Sequence, residues 1–196
     1  MKVDIEYLKQ QLKKEVKEYR YLHSLGVAET GKKLAKKYGA DPLKVEIAGI
    51  LHDFTKDWPK EKMASIIEKY DELADDLLNY DHWLWHGPVT SIVIQERFNI
   101  NDQDIINAIR YHTFGREKMS LIEKIVCLAD YIEPLRQFPG IDEVRSLAEQ
   151  DLDKALLAEF DGTIQFLIKN KRRIYPLAVL TRNQLLEIIE SKLKED

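Results

Sequence analysis

The sequence predicts an all-α protein, and three observations carry the expectation. Apolar residues recur at spacings of three and four along almost the whole chain, stretches of strand-like alternation are missing, and no Gly-rich hairpin signal interrupts the pattern. At 196 residues with 44% hydrophobic content the chain can bury a full core. A single domain over 1–196 is expected, with a core at about 20–139 and C-terminal helices at about 140–196.

The elements follow in order. Residues 4–20 carry an opening helix or helix pair, and a second helix runs through His23, Val27, Thr30 and Leu34 to a stop at Gly39. Asp41 caps a third helix with Pro42 at its first position; Val45 and Ala48, seven and four residues before His52, make the core stripe on which His52 lies. Trp58-Pro59 opens a charged helix ending near Tyr70, a short helix covers 71–78, and an aromatic loop over 81–88 leads to a helix that Pro88 starts and Phe98 ends.

Asn101 or Asp102 caps the next helix, which sets Ile105, Ile109 and His112 on one face. Ser120 and Glu123 form a capping box for a helix with Ile122, Val126 and Asp130 at steps of four. Helices over about 141–150 and 152–167 follow, and the last opens at Thr181 with Gln184 as capping partner and ends in the charged tail 192–196.

Composition excludes several classes. Thirty basic against 34 acidic residues give a net charge of -4, which argues against a nucleic-acid binder working by backbone neutralisation. The single cysteine, Cys127, excludes an internal disulfide and a thiolate metal cage and reads as core packing. The first residues lack a signal peptide's apolar stretch and no run of about 18 apolar residues occurs, so a soluble, cytoplasmic protein with no membrane partner is expected.

Polar residues on core faces need a reason. A buried histidine beside an aspartate, as at His52-Asp53, is a hydrogen-bonded core pair, an acid/base pair or a metal-ligand pair. His23, His112 and Asp130 lie on core faces of other helices, and His86 stands at a helix start; His82 is the competitor to His86. Four imidazoles and two carboxylates exceed the ligand count of one closed tetrahedral site, so two metal ions with Asp53 as bridge fit better than one. Nitrogen and oxygen donors without sulfur suit iron, manganese, cobalt, nickel or zinc over magnesium or calcium. Lys56, one turn after His52, is a candidate to set an ammonium beside the centre, and Arg116 and Arg136 follow His112 and Asp130 closely enough to hold phosphates. Trp83, Trp85 and Tyr131 are candidates for stacking on a purine, with packing the favoured reading for Trp83.

The spacing of His23, His52-Asp53 and Asp130 resembles the HD-domain superfamily of metal-dependent phosphohydrolases. The segments 23–30 (His-Ser-Leu-Gly-Val-Ala-Glu-Thr), 51–56 (Leu-His-Asp-Phe-Thr-Lys), 86–88 (His-Gly-Pro), 111–116 (Tyr-His-Thr-Phe-Gly-Arg) and 128–136 (Leu-Ala-Asp-Tyr-Ile-Glu-Pro-Leu-Arg) resemble the bacterial YqeK family. That resemblance implies an HD-like helical bundle and symmetrical hydrolysis of diadenosine tetraphosphate to two ADP by a metal-activated hydroxide at a di-iron-type site. It also implies the metal ligands His23, His52, Asp53, His86, His112 and Asp130. Asp53 and Lys56 are the expected catalytic residues, and Lys56, Thr113, Arg116 and Arg136 the expected substrate contacts.

Phe114 departs from the family pattern, where a second threonine is expected. The expected cofactors are two transition-metal ions, iron foremost, and the expected partner is a small nucleotide, with no nucleic acid; a homodimer is allowed. The competing readings are a nucleotidase or phosphodiesterase acting on other nucleotides and a catalytically inactive nucleotide-binding module.

Overall fold

A computed structural model describes residues 4–73 and 75–195 of the chain. Among these residues it forms ten α-helices and no strand: α1 (Ile5–Glu15), α2 (Glu18–Tyr38), α3 (Pro42–Leu51), α4 (Lys60–Lys69), α5 (His86–Phe98), α6 (Gln103–Tyr111), α7 (Leu121–Ile132), α8 (Ile141–Ala148), α9 (Leu152–Lys169) and α10 (Pro176–Glu195). The all-α expectation holds. None of these helices is long and apolar enough to cross a membrane.

Local chemistry sets most boundaries. Asp41 accepts from the amides of Leu43 and Lys44 at the start of α3, Asp102 caps α6, and the Ser120–Glu123 capping box opens α7. α2 stops where Gly39 turns left-handed at φ +82°, a conformation that costs glycine nothing.

Four boundaries differ from expectation. The opening segment breaks at Val16, so that Arg20 belongs to α2. The short helix expected over 71–78 is a 3-10 turn over Asp75–Asn79, with Ala74 outside the described residues. α5 begins at His86, because Pro88 is as well tolerated anywhere in a first turn, where its missing N–H has no partner to lose.

The last helix starts at Pro176, five residues before Thr181. The Thr181 hydroxyl donates to the Leu177 carbonyl at 2.7 Å instead of capping, and Gln184 Oε1 accepts from the Lys118 amide. A proline preset for the first helical position outcompetes an internal threonine. Of the charged tail expected at 192–196, Asp196 lies outside the described residues.

α2 lies between α3 and α7, close enough that glycine is needed at the crossings. A Cβ at Gly49 would stand 2.8 Å from Ala28 Cα, and one at Gly31 would stand 2.7 Å from Val45 Cγ1. α6 packs on α3, α5 and α7, around a core that includes Ile50, Leu51, Phe54, Ile109, Ile125 and Leu128. Cys127 is buried there as expected, its thiol donating to the His112 carbonyl at 3.0 Å.

The C-terminal helices build outward from α7. Lys124 of α7 and Lys192 of α10 both bind Asp153 of α9, at 2.6 and 2.8 Å. Arg145 of α8 donates to the carbonyls of Ile132, Glu133 and Arg136 at 2.9–3.0 Å, satisfying the open end of α7 and fixing the turn beyond it.

The α2–α3 crossing sets the separation of His23 and His52, and it is testable. Gly49→Ala would gain about 1 kcal/mol of helix propensity but pushes a methyl into backbone that cannot yield, so a net loss of about 1–3 kcal/mol is expected in urea unfolding. An unchanged or raised midpoint would contradict the close approach.

Candidate metal centre

His52 and His112 use one local device. Each caps the C-terminal end of its helix and turns Nδ1 back onto a carbonyl three residues earlier, His52 onto Gly49 and His112 onto Ile109, both at 2.8 Å. His86, the first residue of α5, turns Nδ1 onto the Trp83 carbonyl at 2.7 Å. His23, inside α2, has no such neighbour and places Nδ1 2.9 Å from the Glu133 carboxylate, 110 residues away.

Each Nδ1 has an oxygen acceptor, which favours the tautomer protonated there and leaves Nε2 to present a lone pair when the ring is neutral; at His86 the Lys56 ammonium also lies 3.1 Å from Nδ1. The four rings form a chain, with centroids 5.3 Å apart for His23–His52, 4.9 Å for His52–His112 and 4.8 Å for His86–His112. All four are buried.

The lone pairs converge on two carboxylates. Asp53 Oδ1 lies 3.0 Å from His86 Nε2, which is itself 2.9 Å from His112 Nε2. The other oxygen, Oδ2, lies 3.9 Å from His23 Nε2 and 3.7 Å from His52 Nε2. Asp130 Oδ1 faces the same two rings, 2.9 Å from His23 Nε2 and 3.8 Å from His52 Nε2.

The His23–Asp130 approach is close but not aligned as a hydrogen bond, and the buried His52 Nε2 has no protein partner at all. Acceptors packed this closely without protons between them repel one another, and a cation relieves that. His23, His52 and Asp130 form one group whose ligand atoms lie within 4.8 Å of each other, and His52, Asp53 and His112 form another. The donor set therefore fits divalent metal, with the Nδ1 partners fixing each ring as outer ligands do.

Protonation agrees with this. Burial, with the Lys56 ammonium adding to it, pushes His86 down to about 3, and burial beside His52 pushes His112 down to about 4. Both are neutral at pH 7, as ligands must be. Burial pulls His23 down too, but the Asp130 carboxylate outweighs it and raises His23, so a metal there competes with a proton. Burial pushes the Asp53 and Asp130 carboxyls up, yet both stay well below the usual range; His52, Lys56 and His86 outweigh it at Asp53, and Arg136 and His23 at Asp130.

Three cations ring the carboxylates. Lys56 Nζ lies 3.2 Å from His86 Nε2 and donates to the Trp83 carbonyl at 3.3 Å. Arg136 binds Asp130 Oδ1 at 2.5 Å and the Asp130 carbonyl at 2.9 Å. Arg20 donates to Asp53 Oδ2 at 2.6 Å. Thr113 stands beside the centre, its hydroxyl 3.1 Å from His112 Nε2.

Arg116 lies apart, its guanidinium held by both oxygens of the buried Glu123 carboxylate at 2.6 Å. His82 turns outward, 3.1 Å from Asp81 Oδ1. Trp85 packs, donating to the Leu77 carbonyl, and Tyr131 packs edge-on against Phe138. Trp83 is 48% exposed with its ring tilted against His82 at 4.8 Å, so the packing expected of it is partial.

Two residues of the centre are not singled out by the sequence reading. Arg20 precedes His23 by three residues and so shares its helix face, a signal present in the chain. Glu133 lies on the Ile-Glu-Pro segment that ends α7, and nothing in the helical period distinguishes it from a solvated glutamate.

A model of the HD domain matches residues 20–135 of the chain. Two curated relatives, both described as symmetrical bis(5'-nucleosyl)-tetraphosphatase, come from Bacillus subtilis and Halalkalibacterium halodurans. The first is 46% identical over 175 residues, covering 89% of this chain and 94% of the relative; the second is 47% identical over 178 residues, covering 90% and 94%. A solved structure from Clostridium acetobutylicum, described as a predicted HD superfamily hydrolase involved in NAD metabolism, superposes with a TM-score of 0.89 at 41% identity, over 94% of this chain and 98% of that one.

Glu133→Gln keeps the shape beside His23 but removes the charge that makes its imidazole a strong donor. Affinity for Mn(II), measured by titration calorimetry, is expected to fall about 10- to 100-fold with helical content unchanged. Unaltered affinity would make Glu133 a mere core partner.

Proposed function

The chain belongs to the HD domain family, and from that membership we propose that it hydrolyses diadenosine tetraphosphate symmetrically to two molecules of ADP at a centre of two transition-metal ions. The observation that carries this reading is the convergence of four Nε2 lone pairs on Asp53 and Asp130. The relatives named for that reaction, aligned over about nine-tenths of the chain, supply the substrate.

The two oxygens of Asp53 support the count of two. Oδ2 faces the His23, His52 and Asp130 group, while Oδ1 faces His86 and, through it, His112. His23, His52 and Asp130 would hold one ion, His86 and His112 the other, with Asp53 between them. The sulfur-free donor set suits iron, with manganese, cobalt, nickel and zinc also compatible. When bound, such a pair lowers the pKa of water at the site toward neutrality and neutralises phosphate oxygens.

The remaining work falls to the chain's own groups. Lys56 is positioned to hold phosphate as a point charge in line with the incoming water oxygen, and Arg136, whose Nε and Nη2 are engaged by Asp130, would offer its remaining Nη1 or exchange that partner. Arg20 steadies Asp53 from the side opposite His86, and the Thr113 hydroxyl is a further donor beside His112. Water adds to one of the two inner phosphorus atoms, the bridging oxygen between the inner phosphates leaves with the other half, and one water is consumed per two ADP. Arg116, engaged by Glu123, would reach substrate only by exchanging that partner. The enzyme so described works in the cytoplasm on a small nucleotide, without nucleic acid.

Incubation of metal-loaded protein with diadenosine tetraphosphate in 18O water, followed by chromatography and mass analysis, is expected to give ADP alone, half of it labelled. AMP with ATP, or release of inorganic phosphate, would overturn the proposal. Asp53→Ala is expected to lose turnover while keeping wild-type helical content.

A further inference from the structure

A second feature borders the centre, sharing Trp83 and Thr113 with its surroundings. Trp83, Thr113, Phe166, Leu167, Arg172 and Arg173 are among the residues lining a mainly apolar cavity of about 200 Å3 between the loop before α5, the turn after His112 and the far end of α9. It is bounded on its inner side by Phe114, buried and packed edge-on against Tyr175 at 4.8 Å.

Two details make this more than a crevice. The described residues include four exposed aromatics, Tyr7, Tyr19, Trp83 and Phe166, and two of the four line this one cavity. The cavity also shares its inner residues with the centre. The Trp83 carbonyl accepts from His86 Nδ1 and Lys56 Nζ, and the Thr113 hydroxyl lies 3.1 Å from His112 Nε2.

We propose that this cavity is a nucleoside subsite, taking a purine base between the Trp83 and Phe166 walls while the phosphates attached to it reach the metal centre. The size suits a single ring system, since pockets that enclose whole ligands begin at about 300 Å3. Exposed aromatic walls provide stacking faces at low entropic cost, and stacking accepts any base with a π face. The charge on the side of the centre is complementary as well, since Lys56 lies 5.6 Å from the Trp83 ring centroid. The two arginines of the lining are already engaged, Arg172 by Asp81 at 3.8 Å and Arg173 by the Asn79 carbonyl. A ligand with an apolar ring in the cavity and anionic groups toward Lys56 matches that arrangement.

The inference rests on the nucleotide reading of the centre and gives the C-terminal helices a role, since α9 and the turn into α10 supply one wall of the subsite. A dinucleotide substrate would lodge one of its two bases here.

Binding separates this inference from the hydrolase reading, because it needs no turnover. Affinities of metal-loaded protein for ADP and for inorganic pyrophosphate are compared by calorimetry in the wild type, in Phe166→Ala and in Thr163→Trp, Thr163 of α9 being a further lining residue from which the larger side chain fills the cavity. Phe166 is 56% exposed, so its truncation leaves the core intact.

ADP affinity is expected to fall about 5- to 100-fold in both variants, the range for loss of one stacked base, with pyrophosphate affinity changed less than about twofold. Wild-type protein that binds ADP no more tightly than pyrophosphate, variants that bind ADP as well as wild type, or variants that weaken both ligands equally would each overturn the subsite. Failure of the wild type to cleave diadenosine tetraphosphate would instead strike the hydrolase reading.

Discussion

Four imidazoles whose Nδ1 protons are already committed leave four lone pairs aimed at two carboxylates, and the rest of the molecule is arranged to tolerate that. The commitments come from unrelated places: a turn of backbone behind His52 and His112, a loop carbonyl beside His86, and a glutamate over a hundred residues away for His23. Each fixes one tautomer. Without them the rings could share protons with Asp53 and Asp130 and form an ordinary hydrogen-bonded core.

Such a cluster works against stability unless charge is balanced nearby. Arg20 and Arg136 bind the carboxylates from outside the ring of histidines, and Lys56 closes the remaining side. The scaffold tolerates no slack around them. Glycines let α2 approach α3 and α7 closely, and Arg145 ties off the end of α7, so that Asp130, Glu133 and Arg136 keep their places. The guanidiniums that balance the carboxylates are also the groups best shaped to receive phosphate, which links the protein's own electrostatics to the substrate it is proposed to bind.

Much of this is legible in the chain alone. Helical period, the Asp41 and Asp102 caps and the Ser120–Glu123 box locate most helices, because those signals are local. The polar residues on core faces stand out for a similar reason: a histidine or aspartate on an apolar stripe breaks a pattern that spans only a few turns. What the sequence hides depends on distant pairing. Glu133 looks like any helix-end glutamate until His23 is seen beside it, and Arg116 looks free until Glu123 is seen to hold it. How much of Trp83 is left exposed is set by the whole fold, and α10 begins early because Pro176 starts a helix more strongly than Thr181 can cap one.

The central claim is that Asp53 stands between two metal ions, each held by its own set of histidines. Anomalous diffraction at the metal edge from crystals grown with Mn(II) or Fe(II) tests it most directly. Two peaks are expected, one beside each Asp53 oxygen, the first among His23, His52 and Asp130 and the second between His86 and His112. A single peak, or none within reach of Asp53, would contradict the account.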